Sequence, residues 1–266
     1  MKTYIVDAFT DEAFKGNPAG VCILKEPISE DLMQSVAAEL NLSETAFIQK
    51  VKENNYAIRY FSPKSEIPFC GHATLASSKV LFEKYDLEQV QFNAINNLTL
   101  SAIKKREGIL MKFPLYGTVS FDKNEQVIDA LGLASVVNCR YAEATNMMLL
   151  EIDDYDMLVD LRPDFIALQK SIDTIDGIIV TVKSKNSKYD FYSRYFWPWV
   201  GTNEDPVTGA AHTVLAKYWG DKLRKKDMMA YQASERGGYM NLKIVGSDML
   251  EVKSNAVIVF EGIINI

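Results

Sequence analysis

Two segments of the chain carry apolar or small residues on nearly every side. They are residues 73–82 and residues 210–219, and neither shows the one-sided pattern of a surface helix. A helix that is apolar all round is usually enclosed by other elements of the fold. Residues 30–40 differ, because their apolar positions fall on one face after Ser29, which predicts an amphipathic helix capped by that serine.

Short apolar or alternating runs, bounded by turn residues, fill much of the remaining chain. Residues 3–9, 21–24, 43–48 and 56–61 are examples from the first half. Runs of this kind predict short strands. The pattern as a whole therefore predicts a mixed protein in which short strands surround enclosed helices.

A short phrase repeats before each of the two enclosed helices. Arg-Tyr-Phe-x-Pro stands at residues 59–63 and again at 194–198, and a glycine, Gly71 or Gly209, begins each apolar helix. The alternative is a chance recurrence of an aromatic-proline phrase. We interpret the repeat as two copies of one unit, packed as pseudo-symmetric domains with a ligand cleft between them.

The boundary between the two copies is predicted near the middle of the chain. We expect an N-terminal domain over residues 1–116 and a C-terminal domain over residues 117–255. A last strand, at residues 256–266, is expected to be able to pack on the N-terminal domain.

Composition argues against several classes of function. The net charge of −6 argues against a surface for nucleic acid or for an anionic membrane. No apolar run approaches the roughly 18 residues of a membrane helix. The apolar stretch at the start of the chain ends at the acidic Asp7, and it is too short for the apolar core of a signal peptide. Three cysteines form neither a disulfide framework nor paired metal spacing, so a cytoplasmic protein that binds a small molecule is expected.

The two helix starts offer the clearest candidate chemistry. The first turn of a helix has unpaired N–H groups and a partial positive charge, so a carboxylate is its natural ligand. Gly71 and Gly209 permit close approach of a ligand to this backbone. The alternative is that Asp205 or Thr208 simply caps the second helix. The spacing alone leaves both interpretations open.

Glu44 and His72 are the candidates for acid–base chemistry. Glu44 lies at the start of an apolar strand, where an acid is costly unless it is paired or hydrogen-bonded. An exposed strand-edge glutamate is the structural alternative. His72 shares its loop with Gly71 and Thr74, and a hydrogen-bonded structural histidine is the alternative there. His212 is the one other histidine, and we interpret the two as facing halves of one active site.

Cys70 is the main competitor for a catalytic role. A thiolate at a helix N-terminus is activated by the helix dipole. A two-thiol racemase would need a second cysteine in the mirrored loop, and that loop offers Asp205, Pro206 and Thr208 instead. A small buried residue is the alternative role for Cys70. A metal site has little support in the sequence, because the two histidines lack carboxylates at ligand spacing.

Four motifs together resemble the phenazine-biosynthesis PhzF-like family, of diaminopimelate-epimerase-like fold. They stand in order at residues 7–20, 43–47, 59–76 and 204–212. The resemblance implies an α+β protein of two similar domains, each an antiparallel barrel-like sheet around a central helix. It also implies a homodimer and cofactor-free isomerase chemistry in the interdomain cleft.

The resemblance also implies roles for individual residues. The general acid/base falls on Glu44, the supporting histidine on His72 and the substrate-orienting aspartate on Asp205. One departure is Ala210, which stands where many members of the family have serine, so a hydroxyl that contacts substrate is missing. The implied substrate-binding residues are Asn17, Gly71, Thr74, Thr208, Gly209 and Ala210.

The sequence thus predicts an isomerase that acts on a small carboxylate, with no cofactor and no metal. Glu44 would take a proton from an activated C–H and return it to another carbon or to the same one. Two alternatives stay open. One is a non-catalytic small-molecule-binding protein of the same fold, and the other is a racemase or epimerase that uses Cys70.

Overall fold

A computed structural model describes residues 1–95, 98–185 and 187–266. The helices within these residues are α1 (Glu30–Leu40), α2 (Gly71–Lys84), α3 (Glu125–Leu131), α4 (Tyr155–Asp160), α5 (Phe165–Ser171) and α6 (Gly209–Leu223). A short 3-10 turn covers Glu143–Thr145. In the described part of the chain, none of the helices has the length and apolar character needed to cross a bilayer.

The strands of the first half are short and follow one another closely. They are β1 (Lys2–Ala8), β2 (Asn17–Leu24), β3 (Glu44–Lys52), β4 (Asn55–Phe61), β5 (Glu66–Ile67), β6 (Gln89–Asn93), β7 (Thr99–Lys105) and β8 (Gly108–Pro114). The later strands are β9 (Val119–Ser120), β10 (Asn138–Ala142), β11 (Met147–Ile152), β12 (Gly177–Lys183), β13 (Phe191–Trp197), β14 (Thr202–Glu204), β15 (Asp227–Gln232), β16 (Gly238–Val245), β17 (Met249–Ser254) and β18 (Ala256–Ile263).

The chain divides into two compact units. The first unit comprises Met1–Lys112 with Glu251–Ile266, and the second comprises Phe113–Leu250. The last strand, β18, pairs antiparallel with β1, so that Lys2 lies opposite Ile263 and Ala8 lies opposite Ala256.

The strands of the first unit pair in a definite order. Strand β1 is antiparallel to β2, β2 is parallel to β3, and β3 is antiparallel to β4. Strand β4 is antiparallel to the short β5 and parallel to β6, and β6 continues antiparallel into β7. Helix α1 covers one side of this sheet through Met33, Val36 and Ala37, which pack with Phe47 and Phe61.

The second unit repeats the same order of pairing. Strand β10 is antiparallel to β11, β11 is parallel to β12, and β12 is antiparallel to β13. Strand β13 is then antiparallel to the short β14 and parallel to β15, and β15 is antiparallel to β16. Because each pairing in one unit has its counterpart in the other, the repeat of sequence motifs corresponds to a repeat of topology.

Both apolar helices are enclosed, as their composition predicts. Helix α2 buries ten of its residues and contacts β1, β2, β3 and β18 of its own unit. Helix α6 buries nine and contacts β15 and β16. Small residues such as Ala73 and Ala76 in α2, each fully buried, let the surrounding strands approach closely.

Two short helices of the second unit, α3 and α4, were not predicted from the pattern. Helices α3 and α4 are fixed at their starts by Asn124 and Asp154, whose side chains accept backbone N–H groups of the first turn. Helix α5 begins at Phe165, with Asp164 as its cap. In these six- and seven-residue helices, a capping side chain determines the start.

Candidate active site

The first unit brings Glu44, His72, Cys70 and Asn17 together. Asn17 begins β2, Glu44 begins β3, and Cys70 caps α2, which places His72 in the first turn of that helix. Strands β2 and β3 are parallel, with Ala19 opposite Glu44, so their first residues lie at the same edge of the sheet. The helix start is directed at this edge. Three separate stretches of sequence therefore supply one group of polar side chains.

His72 is the centre of this group. Its Nε2 lies 3.1 Å from Oε2 of Glu44, and both side chains are almost completely buried. Its other ring nitrogen, Nδ1, lies 3.4 Å from Nδ2 of Asn17 and 3.4 Å from Sγ of Cys70. Because a carboxylate only accepts, Nε2–H donates to Glu44. Nδ1 accepts from Asn17 when the ring is neutral and donates to Cys70 when the ring is protonated.

The surroundings shift the titration of this histidine and of the thiol. Burial by itself lowers the pKa of His72, but the contacts with Cys70 and Glu44 outweigh burial and hold that pKa well above its ordinary value. Burial raises the pKa of the Cys70 thiol. The site therefore favours an imidazolium beside the Glu44 carboxylate and disfavours a free thiolate at Cys70.

Cys70 and Thr74 have structural contacts inside the first unit. Sγ of Cys70 accepts the N–H of Ala73 at 3.5 Å and so caps α2. The Thr74 hydroxyl donates to the carbonyl of Cys70 at 2.7 Å and accepts from the hydroxyl of Tyr60 at 2.6 Å. Both hydrogen bonds hold the helix start against β4. The hydroxyl of Thr74 thus already makes two hydrogen bonds within the protein. The substrate contact expected of Thr74 stays a prediction.

In the second unit, Asp205 and Thr208 form the loop that leads into α6. Thr208 is the N-cap residue, but its hydroxyl donates to Oδ2 of Asp205 at 2.5 Å rather than capping the helix. Thr208 therefore does not cap α6 through its side chain. The N-terminal turn of α6, with Gly209 and Ala210, has no capping side chain at Thr208. Thr213 bonds back to the carbonyl of Ala210 at 2.6 Å.

Gln232 holds this loop in shape and was not predicted. Its Oε1 accepts the N–H of Thr208 at 2.9 Å, and its Nε2 donates to the carbonyl of Asp205 at 2.7 Å. The side chain is completely buried at the end of β15. The alternation in β15 carried a signal, because Met228, Ala230 and Gln232 share the buried face and glutamine is the exception among them.

Each copy of the Arg-Tyr-Phe phrase anchors a short strand by an ion pair. Arg194 makes a two-pronged contact with Glu204, at 2.7 Å for both nitrogens, and also donates to the carbonyls of Leu158 and Leu161 near the end of α4. Arg59 makes the equivalent two-pronged contact with Glu66 at 2.6 and 2.7 Å. Since Glu204 immediately precedes Asp205, the Arg194 pair fixes the position of the loop that carries the aspartate.

His212 has the contacts of a structural residue. Its Nδ1 donates to the carbonyl of Thr208 at 2.7 Å, and its ring is stacked on Phe191 in the core of the second unit. Burial lowers the pKa of His212 to about 4, so the ring is neutral at physiological pH. The sequence predicts that both histidines lie in the active site, but the structure places His212 in the core, one helical turn beyond the loop.

The group in the first unit also has the composition of a metal-ligand set. Glu44, Cys70 and His72 each offer one ligand atom, and these atoms all lie within 4.8 Å of one another. Metal binding had little support in the sequence, because the two histidines lie in separate halves and lack carboxylates at ligand spacing. The structure instead combines one histidine with a carboxylate and a thiol from the same unit, which the spacing along the chain did not indicate.

Comparison with known proteins gives a consistent result. A family model described as phenazine biosynthesis-like protein (PhzC-PhzF) matches residues 6–262. The mouse phenazine biosynthesis-like domain-containing protein 1 is 42% identical over an alignment of 287 positions that covers 98% of this chain and 98% of the mouse protein. An uncharacterized isomerase of Halalkalibacterium halodurans is 44% identical over 250 residues, 91% of this chain and 90% of that protein.

Solved structures agree with the fold class inferred from the sequence. A putative phenazine biosynthesis PhzC/PhzF protein from Clostridium difficile superimposes with a TM-score of 0.90 at 35% identity and covers 100% of both chains. A predicted epimerase from Pseudomonas aeruginosa superimposes with a TM-score of 0.75 at 17% identity, over 98% of each chain, which is a likeness of fold. The predicted α+β fold of the diaminopimelate-epimerase type is confirmed.

Proposed function

The chain belongs to the phenazine biosynthesis-like (PhzF-like) family, and from that membership we propose an isomerase in which Glu44 transfers a proton of a small carboxylate substrate. The observation that carries the proposal is the buried Glu44–His72 pair, 3.1 Å apart, beside the start of α2. A carboxylate that is buried, oriented and close to a proton donor has the properties of a general acid–base group.

The reaction is a proton transfer that conserves every atom. Glu44 takes a proton from an activated C–H, and the electron pair of that bond moves into the conjugated system of the substrate carboxylate. Glu44 then delivers a proton to another carbon, which moves a double bond, or to the same carbon. His72 holds the Glu44 carboxylate in position through its Nε2–H and supplies positive charge next to it.

Backbone N–H groups supply the rest of the first unit's contribution. The first turn of α2, beginning at Gly71, has N–H groups without intrahelical partners and the positive end of the helix dipole. A negative charge that develops on the substrate oxygens is stabilised by such fixed donors. Asn17, at 3.4 Å from His72, orients the imidazole and belongs to the same proposed site.

The role of the second unit in this proposal rests on the family resemblance. Asp205 would orient a polar group of the substrate, with Thr208, Gly209 and Ala210 near the start of α6 contributing contacts. Its hydrogen bonds to Thr208 and Gln232 hold the loop in one conformation, as a binding residue requires. An Asp205→Asn variant should keep the fold and raise KM or lower kcat. A homodimer and a cytoplasmic location are further parts of this proposal.

One contact favours a second candidate. Sγ of Cys70 lies 3.4 Å from Nδ1 of His72, which is the arrangement of a thiol beside its base. A racemase or epimerase that uses Cys70 would exploit this contact. The raised pKa of the buried thiol weighs against it, because the thiolate is the reactive form.

Deuterium exchange distinguishes the two candidates. The protein is incubated in D₂O with a panel of unsaturated and amino-substituted carboxylates, and uptake of deuterium at carbon is followed by NMR. We expect uptake with at least one compound, its loss in Glu44→Gln and its survival in Cys70→Ser. Uptake that is lost only in Cys70→Ser would assign the chemistry to the thiol. A compound that binds without exchange in the wild type would favour a non-catalytic binding protein.

A further inference from the structure

The second unit has a glycine at the position that Glu44 occupies in the first unit. The phenylalanine of the repeated phrase lies opposite Thr45 in the first unit and opposite Ile178 in the second. The residues that precede these two are Glu44 and Gly177, and each begins its strand. Gly177 is therefore the counterpart of Glu44, and the second unit carries no acid–base side chain at this position.

The space beside Gly177 is filled by the phenol of Tyr195. A Cβ atom at Gly177 would lie 2.2 Å from the hydroxyl oxygen of Tyr195, which leaves no room for a side chain. Tyr195 is the tyrosine of the repeated phrase in β13, and it is 2% exposed. Its backbone carbonyl accepts the N–H of Asp205 at 3.1 Å. The phenol therefore lies over the start of β12, where the second unit corresponds to the place of Glu44 in the first.

The two tyrosines of the repeated phrase differ in their hydrogen bonds. In the first unit, the hydroxyl of Tyr60 donates to that of Thr74 at 2.6 Å. His212 is the counterpart of Thr74, and its ring donates to the carbonyl of Thr208 instead. Among the residues that the structure describes, none forms a hydrogen bond with the hydroxyl of Tyr195. The second unit thus has an unused hydroxyl where the first unit has a satisfied one.

A second unused donor lies on the same face of β13. Trp197 follows Tyr195 by two positions, and the centroids of their rings are 6.0 Å apart. Its indole Nε1 is buried and has no partner within the described part of the chain. The counterpart in the first unit is Ser62, whose hydroxyl donates to the carbonyl of Ser65. Buried donors are rarely left unpaired in proteins, so two that lie together indicate an acceptor on a bound molecule.

The charge around Tyr195 indicates which kind of acceptor fits. Burial, and after it the carboxylates of Asp205 and Asp176, raises the pKa of the Tyr195 phenol, so the hydroxyl stays protonated and donates. The same carboxylates disfavour a further negative charge nearby. An indole N–H is a donor only. The two donors therefore fit an uncharged oxygen, such as that of a hydroxyl or a carbonyl group.

We propose that Tyr195 and Trp197 form a binding subsite of the second unit, which donates hydrogen bonds to an uncharged oxygen of the substrate. This rests on the proposed function, because it takes the small carboxylate of that reaction as the bound molecule. It adds the requirement that the substrate carries another oxygen besides its carboxylate. The subsite moves no proton, since Gly177 replaces the acid–base residue and the phenol stays protonated. It determines which carboxylate binds rather than how fast the proton moves.

Binding of matched compounds tests the subsite. Dissociation constants are measured by titration calorimetry for pairs of carboxylates that differ by one uncharged oxygen, such as crotonate and its γ-hydroxy derivative. We expect the wild type to bind the oxygen-bearing member more tightly. Tyr195→Phe should bind that member about 3- to 10-fold more weakly, as expected for one lost hydrogen bond between uncharged groups, and should bind the other member as the wild type does. Trp197→Phe should show the same selective loss.

The matched control is Tyr192→Phe. It removes a hydroxyl from the same strand on the opposite face, where Tyr192 packs against the ring of Tyr155 with centroids 4.5 Å apart. This variant should leave both dissociation constants unchanged. With the panel compound that exchanges deuterium fastest, Tyr195→Phe should raise KM and leave kcat nearly unchanged. An unchanged preference for the oxygen-bearing member in Tyr195→Phe overturns the proposal.

Urea unfolding supplies a readout that needs no substrate. Tyr60→Phe loses the hydrogen bond to Thr74 and should lower the midpoint of unfolding. Tyr195→Phe loses a hydroxyl that no described residue bonds, so the midpoint should stay the same or rise. Equal lowering of the midpoint in the two variants would show that the Tyr195 hydroxyl serves the fold, which also overturns the proposal.

The two proposals fail in different ways. A compound that binds without deuterium exchange, and binds more weakly to Tyr195→Phe, retains the subsite and removes the isomerase mechanism. Exchange that is slowed by Glu44→Gln, with KM values that Tyr195→Phe leaves unchanged for both members of a pair, retains the isomerase and removes the subsite.

Discussion

His212 should make the stability of the protein depend on pH by a calculable amount. Its ring is 1% exposed and stacks on Phe191, and burial lowers its pKa from 6.5 to about 4. In the unfolded chain the ring is solvated and titrates near 6.5. The perturbation is therefore acidification. As the pH falls, the His212 ring is protonated at a higher pH in the unfolded chain than in the folded protein.

The sign and size of the effect follow from linkage. Because the folded-state pKa is depressed, the contribution of His212 to stability is complete above the unfolded pKa and is lost as pH falls towards the folded pKa. A difference of 6.5 − 4 units, at about 1.36 kcal/mol per unit, gives a total of about 3 kcal/mol. Roughly 2 kcal/mol of this should be lost between about pH 7 and about pH 4.5.

Urea unfolding at several pH values measures the effect. Carboxylates titrate in the same range, so the informative quantity is the difference between the wild type and His212→Gln, in which the glutamine amide can still donate to Thr208. The wild type should lose about 2 kcal/mol more than the variant over this range. Equal pH dependence of the two proteins would refute the reasoning.

NMR of the wild type checks the same point without a substitution. The chain has two histidines, so two ring signals report on His72 and His212. One should titrate far below 6.5 and the other well above it, because burial lowers the pKa of His212 whereas contacts with Cys70 and Glu44 raise the pKa of His72. For His72 the sign reverses: its stabilisation is present below about pH 6.5 and is lost as pH rises through its raised pKa. Two normal titrations would contradict both assignments.

Two further substitutions, with Arg59→Leu of the first unit as a comparison, test the supports of the second unit's loop by denaturant unfolding. Arg194→Leu should cost about 3 kcal/mol, because it leaves Glu204 without its partner in a place where the arginine side chain is 9% exposed. Arg59→Leu, whose side chain is 29% exposed, should cost nearer about 1 kcal/mol, and equal losses would contradict the argument from burial. Gln232→Leu should cost about 3 kcal/mol, because the N–H of Thr208 becomes a buried donor without a partner, and a loss of less than about 1 kcal/mol would show that the clamp matters little.

The elements that could be predicted from the sequence are those with strong local signals. Helices α2 and α6 are apolar on all sides, and both are enclosed with glycine as their first residue. Ser29 caps α1 as expected, with its hydroxyl accepting the N–H of Leu32. Helices α3 and α4 escaped prediction because six or seven residues carry too little periodicity, and their starts depend on a single capping side chain.

The candidate site likewise contains residues that local sequence patterns indicate and contacts that only the fold creates. Glu44 and His72 could be named from motifs, but their contact depends on the parallel register of β2 and β3, which no local pattern encodes. The contacts of Cys70 with His72 and Ala73 are local, because all three residues lie at the start of α2. Gln232 is distant in sequence from the loop that it holds, so only the three-dimensional fold shows its purpose.

The most direct test of the central claim is the rate of deuterium exchange in Glu44→Gln. With the best carboxylate of the panel, exchange at carbon is measured for the wild type, for Glu44→Gln and for Glu39→Gln, which removes an exposed carboxylate on α1. The proposed mechanism predicts that Glu44→Gln slows exchange by about 10²- to 10⁴-fold and that Glu39→Gln leaves it unchanged. Exchange at the wild-type rate in a folded Glu44→Gln protein would contradict the assignment of Glu44 as the group that moves the proton.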